Sequence, residues 1–168
     1  MVLLPNRGAY VKELTLQDVS EMMEAREVVE VFAFRKVAPE VTDGELRRLM
    51  EFHQTYHDGW AKGDYEAAVE ADMAFHQHVA AMAGNEVLAE VLRGLAVMQT
   101  WLRFRRYRDA SPRLSAARDD HVDLVGALAS REPDTAEAEI RRHVRGSREE
   151  LTAWMSGQAE GPRGRGGD

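Results

Sequence analysis

At 168 residues with a formal net charge of −7, the chain is long enough to bury a core and too acidic overall to wrap a polyanion. It has no cysteine, which excludes disulfides and thiolate metal sites and leaves any metal to histidine and carboxylate. No apolar run approaches the roughly 20 residues of a membrane span, and the start lacks the basic and apolar regions of a signal peptide. The reading is therefore of an acidic, soluble, cytoplasmic single domain.

In chain order, Asn6-Arg7-Gly8-Ala9-Tyr10-Val11 couples turn residues to a β-prone stretch, as at the end of a hairpin. Everything after it has a helical period. Thr15 is placed to cap a first helix whose apolar residues Val19, Met22, Met23, Val29, Phe32 and Ala33 recur at three and four. Pro39 ends it, lacking the donor that a helix needs. Thr42 or Asp43 caps a second helix carrying Leu46, Leu49, Met50, Phe52, Tyr56 and Trp60.

Gly63-Asp64 punctuates, and a third helix is expected from Tyr65 to Ala83. Gly84-Asn85 reads as a helix stop followed by a cap. The fourth helix carries Leu88, Val91, Leu92, Leu95, Met98 and Leu102, and Ser111-Pro112 breaks the chain after it. A fifth covers Leu114 to Ala129, and Pro133-Asp134 opens a sixth that reaches Trp154. From Gly157 onward the glycine-rich end is expected to be a disordered tail. Short links between long amphipathic helices make neighbours antiparallel. The expected fold is all-α, an antiparallel bundle of about six helices enclosing a metal and effector cavity.

The chain has six histidines, and their placement is informative. Asp72 and His76 stand four apart on the third helix, which puts them on one face with Cβ atoms roughly 5–6 Å apart. Both can then reach one ion at about 2.0–2.2 Å. His121 shares an apolar stripe with Leu124, Val125 and Leu128, and His143 shares one with Ala136, Ile140 and Leu151. An imidazole on a buried stripe needs a partner, because a buried polar group left unsatisfied costs about 1–3 kcal/mol.

Four groups on three helices could satisfy one another around a single ion. The plainer reading stays open: a D-x-x-x-H pair alone is a weak signal, and His121 and His143 have charged neighbours that suit a solvated surface. His78, about 200° round the helix from His76, is expected to be exposed. His53 and His57 read as half-exposed aromatics of the second helix. A carboxylate-bridged di-iron site is excluded, since no histidine stands in Glu-x-x-His.

At this point the sequence resembles a known family. Asp72-Met-Ala-Phe-His76 followed by Ala83-Gly84-Asn85 is similar to the D-x-x-F-H…A-G-N signature of the FCD domain, the C-terminal ligand-binding domain of FadR-type regulators in the GntR superfamily. His121-Val-Asp-Leu-Val-Gly-Ala-Leu, Arg131-Glu-Pro-Asp-Thr-Ala and Arg142-His143-Val resemble the closing pattern of that domain, and Arg26…Glu30 resembles the R-x-x-x-E of its first helix. The resemblance spans about Pro5 to Trp154.

It implies that Asp72, His76, His121 and His143 bind one divalent ion, most often zinc, with nickel or manganese as the other choices. It further implies that a small organic acid completes the metal shell, that the domains form homodimers, and that DNA is read only by an N-terminal winged helix-turn-helix domain. Residues 1–13 then read as a remnant of the wing and its linker, 14–156 as the effector domain, and 157–168 as the tail. No recognition-helix pattern is present, so this chain is expected to sense without reading DNA.

Arg26 lies on the apolar side of the first helix. It forms either an i,i+4 salt bridge to Glu30 or a fork onto an effector carboxylate. Gln99 and Arg103 on the fourth helix are weaker effector candidates. The run Trp101-Leu-Arg103-Phe-Arg105-Arg106-Tyr-Arg108 mixes cations with aromatics, which suits either nucleic-acid contact or a half-buried helix end. The rival functions are a metal-dependent enzyme and a dimerisation module held by a structural metal. Against catalysis, no general base is placed near Asp72 or His76, since Glu70 points elsewhere on the helix.

Overall fold

The structure, a computed structural model, describes residues 2–4, 8–10, 14–109 and 121–160. A short antiparallel pair, β1 (Val2–Leu4) and β2 (Gly8–Tyr10), sets Val2 opposite Tyr10 and Leu4 opposite Gly8. The rest of the described chain is helical, as expected. The helices are α1 (Leu16–Val37), α2 (Asp43–Lys62), α3 (Tyr65–Met82), α4 (Glu86–Asp109), α5 (His121–Ala129) and α6 (Pro133–Glu160). A 3₁₀ turn at Ala38–Glu40, built on Pro39, joins α1 to α2.

Side chains near the ends fix the helix boundaries. Thr15 and Thr42 each form a capping box. The Asp18 carboxylate accepts from Thr15 N at 2.9 Å, and Glu45 accepts from Thr42 N at 2.7 Å. Asp64 caps α3 by accepting from Ala67 N at 3.1 Å, and Asn85 accepts from Leu88 N at 3.2 Å at the start of α4. Each such cap contributes roughly 1 kcal/mol. Gly63 closes α2 at φ +74, a conformation that costs glycine nothing.

The core lies where α1, α3 and α6 meet, with α2 and α5 closing the sides. Phe34 of α1, Leu49 of α2, Phe75 of α3, Leu124 and Leu128 of α5 and Ile140 of α6 are all fully buried in it. Helices α1 and α6 run antiparallel, and ion pairs register them. Glu24 meets Arg148 at 3.1 Å, Glu27 meets Arg145 at 2.9 Å and Arg141 at 2.6 Å, and Arg35 meets Glu137 at 2.6 Å. Partly exposed pairs of this kind contribute about 0–1 kcal/mol each, so they fix alignment more than stability. Helices α2 and α3 pack closest at Gly59, where a Cβ would stand 2.8 Å from Ala68 N and from Asp64 O.

Two expectations need correction, and a third lies in part outside the described residues. Phe32, Met50 and Val91 fall on the apolar period but are 42%, 38% and 43% exposed, because they lie at or beyond the edge of the buried stripe. Helix α6 is described to Glu160, past Trp154 and Gly157, because one glycine inside a long amphipathic helix lowers its stability only by about 1 kcal/mol and does not end it. Helix α5 is described from His121, and the expected stretch from Leu114 to Asp120 lies outside the described residues, as do 161–168 of the expected tail.

Candidate metal centre

Helix α3 buries Asp72 and His76 on one face, and Phe75 and Val79 beside them, both fully buried, anchor the helix in the core. His121 is the first residue of α5, and His143 lies midway along α6 on the stripe of Ala136, Ile140 and Leu151. The fold brings the three imidazoles together: one nitrogen from each of His76, His121 and His143 lies within 4.8 Å of the others. Asp72 Oδ1 lies 3.4 Å from His121 Nε2. All four side chains are buried.

Such a cluster suits a cation. Donor atoms on one ion at about 2.0–2.2 Å stand at most roughly 4.4 Å apart, so small side-chain adjustments would close this group around it. His76 Nε2 and His121 Nε2 are buried without a hydrogen-bond partner among the described residues. Burial pushes the pKa of His76 below the usual imidazole range, and it does the same to His143 more strongly, with His76 and His121 adding to the effect. Neutral imidazoles keep the lone pairs that a metal needs.

Helix α1 supplies a second layer. Glu30 Oε2 lies 2.6 Å from His76 Nδ1, on the far side of that ring from Nε2. Glu30 Oε1 accepts from Arg26 Nε, and both residues are 1% exposed. Burial would raise the Glu30 pKa, but the charges of Arg26 and His76 outweigh it and hold the carboxyl at about 2. Arg26 thus forms the expected pair with Glu30, while its Nη1 is buried with no hydrogen-bond partner among the described residues. The link from Glu30 to His76 was not anticipated, although two charges on the buried stripe of the first helix signal a common partner inside the core.

The remaining candidates divide. Gln99 is buried on the inner side of α4, with Nε2 3.4 Å from Met23 Sδ. Arg103 lies in α4, its side chain outside the described residues. His57 is exposed, but His53 is buried, correcting its expected half-exposure, because it continues the stripe from Leu49 to Tyr56. Its ring stands 6.3 Å from that of His121, and Tyr56 meets His121 edge-on at 5.1 Å. His78 is half-buried, not exposed, with its ring 5.6 Å from Phe52. It lies outside the histidine cluster.

The model of the FCD domain matches residues 21–146. The chain belongs to the FCD domain family. FCD is the C-terminal effector domain of GntR-type transcription regulators, a regulatory family and not an enzymatic one. This FCD domain is 23% identical over 159 residues to the HTH-type transcriptional repressor RspR of Escherichia coli K12, covering 90% of this chain and 69% of the relative. It is 24% identical over 167 residues to the HTH-type transcriptional regulator LutR of Bacillus subtilis, covering 88% and 75%. Among solved structures, E. coli McbR/YncC superposes with a TM-score of 0.81 at 18% identity, over 90% of this chain and 76% of the other. Streptococcus agalactiae GntR superposes with a TM-score of 0.63 at 19% identity, over 79% and 58%. At these identities the superpositions establish the shared fold.

Proposed function

We propose that this FCD domain senses a small carboxylic acid at a divalent metal held by Asp72, His76, His121 and His143. The observation that carries the reading is the convergence of three buried imidazoles beside a buried carboxylate. Nitrogen-rich donors without a thiolate favour zinc, and they also suit nickel or manganese. A bound ion would supply a Lewis-acid contact for one acid oxygen. Arg26, which pairs with Glu30 and has a buried Nη1 without a hydrogen-bond partner among the described residues, would offer a second, charged contact, with Gln99 and Arg103 of α4 as further candidates.

In an intact regulator, acid binding would favour one arrangement of the bundle and so bias an N-terminal helix-turn-helix domain, which reads the DNA. We read residues 14–156 as the sensing domain, 1–13 as wing and linker, and 157–168 as a tail. Two copies are proposed to pair as a homodimer. Among the described residues no helix is long and apolar enough to cross a membrane, and a regulator of transcription works beside the chromosome, so the cytoplasm is its proposed location.

The test is a thermal-shift screen of di- and tricarboxylates, hydroxy acids and sugar acids on metal-loaded and chelated protein. A ligand that binds only the folded state stabilises it by about 2.7 kcal/mol at a hundred times Kd. The expected result is stabilisation of loaded protein by acids, lost after chelation. Hits that persist unchanged after chelation place the effector elsewhere. No hit in any acid class leaves the metal a structural one.

A further inference from the structure

The histidines beside the metal centre continue outward along α2. His53 and His57 stand four apart, on one face of that helix. Their ring centroids lie 6.4 Å apart, and the ring of His53 lies 6.3 Å from that of His121. The ring of His121 in turn lies 5.5 Å from that of His76 and 5.4 Å from that of His143. His57 is exposed, His53 is 7% exposed and His121 is 3% exposed. The imidazoles therefore run in series from solvent to the centre.

The separations have a chemical meaning. A divalent ion at about 2.0–2.1 Å from a ring nitrogen stands roughly 3.2 Å from the centroid of that ring, so two rings sharing an ion have centroids up to roughly 6.4 Å apart. Each neighbouring pair in the series falls within that reach. With small side-chain turns, an ion held by one imidazole bonds the next before it leaves the first. Such steps matter because a charge without ligands in a low-dielectric interior is very costly. Elsewhere the centre is walled. The Arg26–Glu30 pair closes the α1 side, each residue 1% exposed, and Ile140 and Val144 of α6 are 0% and 1% exposed.

We infer that His57 and His53 are the route by which the metal ion enters and leaves the centre, passing by ligand exchange from His57 to His53 to His121. The inference rests on the metal reading proposed above and adds to it two residues that act on rate. Neither is a ligand of the resting ion. A residue that serves only the passage lowers the same barrier in both directions, so it speeds entry and exit alike and leaves the affinity as it is. A packing role for His53 against His121 would change the affinity instead.

The test is stopped-flow mixing of the metal-free 168-residue chain with Co²⁺, whose visible absorption reports its ligation, and of the Co²⁺-loaded chain with excess chelator. His57→Ala and His53→Phe, the latter keeping an aromatic ring against His121, are each expected to slow uptake and release by at least about 10-fold, because a lost contact to a charged group raises that barrier. The Kd for Co²⁺ is expected to stay at the wild-type value. His78→Gln, off the series, is expected to leave both rates unchanged. His57→Ala, at an exposed position, carries the test where His53→Phe does not fold. Wild-type rates in both variants overturn the route and leave the centre standing. Weaker affinity with unchanged uptake in His53→Phe assigns that residue to packing and overturns the route. Equal slowing by His78→Gln overturns it as well. A wild type that takes up no Co²⁺ overturns both the route and the metal reading.

Discussion

Glu30 on α1 and His76 on α3 meet at 2.6 Å inside the bundle, through Nδ1 of the His76 ring. A carboxylate on one imidazole nitrogen fixes the ring and its tautomer and makes the other nitrogen a better ligand. Arg26 in turn holds Glu30. The expected consequence is that Glu30→Gln, which keeps the shape and removes the charge, lowers zinc affinity about 10- to 100-fold. Competition against a chromophoric chelator measures it. Unchanged affinity would make Glu30 a partner of Arg26 alone.

Ligand substitutions should separate the histidines into two classes. His121→Ala and His143→Ala are expected to lower metal content per chain and melting temperature together, since metal binding and folding are linked. His57→Ala, at an exposed position, should change neither. Elemental analysis of purified variants decides it, and full metal retention in His143→Ala would remove that residue from the ligand set.

Acid should weaken the metal-free domain in a defined window. Burial holds His76 and His143 below the usual imidazole range in the folded state. The unfolded chain titrates near 6.5, so it binds more protons than the folded one as pH falls through that value. Stability is therefore fully present above about pH 6.5 and declines below it. The Glu30 contribution lies lower: its folded pKa is held at about 2, so its share is lost only as pH falls below the ordinary carboxylate range. Urea midpoints of chelated protein should drop between about pH 7.5 and 5.5, a span that crosses the histidine range. A flat profile across it would count against buried neutral histidines.

Gly59→Ala tests the closest helix contact. The added Cβ would stand 2.8 Å from two backbone atoms of the α3 start, Ala68 N and Asp64 O. Backbone yields less easily than a side-chain tip, so a loss of about 1–3 kcal/mol is expected from overpacking. Denaturant unfolding measures it. A variant as stable as wild type would show that α2 and α3 are free to separate there.

The sequence by itself determined the helices, their caps and the residues that bear the chemistry. Thr15, Thr42, Gly63 and Asn85 carry local signals that need no tertiary context. The four-residue spacing of Asp72 and His76 sets them on one face of any helix that forms there. The phase of His121 and His143 against Leu124, Leu128 and Ile140 likewise states which way those rings point, and all are buried as that phase requires. What only the tertiary structure decided is which groups meet across helices. The approach of His76, His121 and His143 to within 4.8 Å depends on how α3, α5 and α6 pack. The same holds for Glu30 reaching His76 and for His53 standing beside His121. Periodicity within a helix gives the direction of a side chain but not the rotation, offset or crossing of its neighbour. Those are fixed by side-chain packing over the whole core. The exposure of Val87 and Val97 has the same origin: their apolar character is written in the sequence, but which face of α4 the bundle covers is a property of the packed fold.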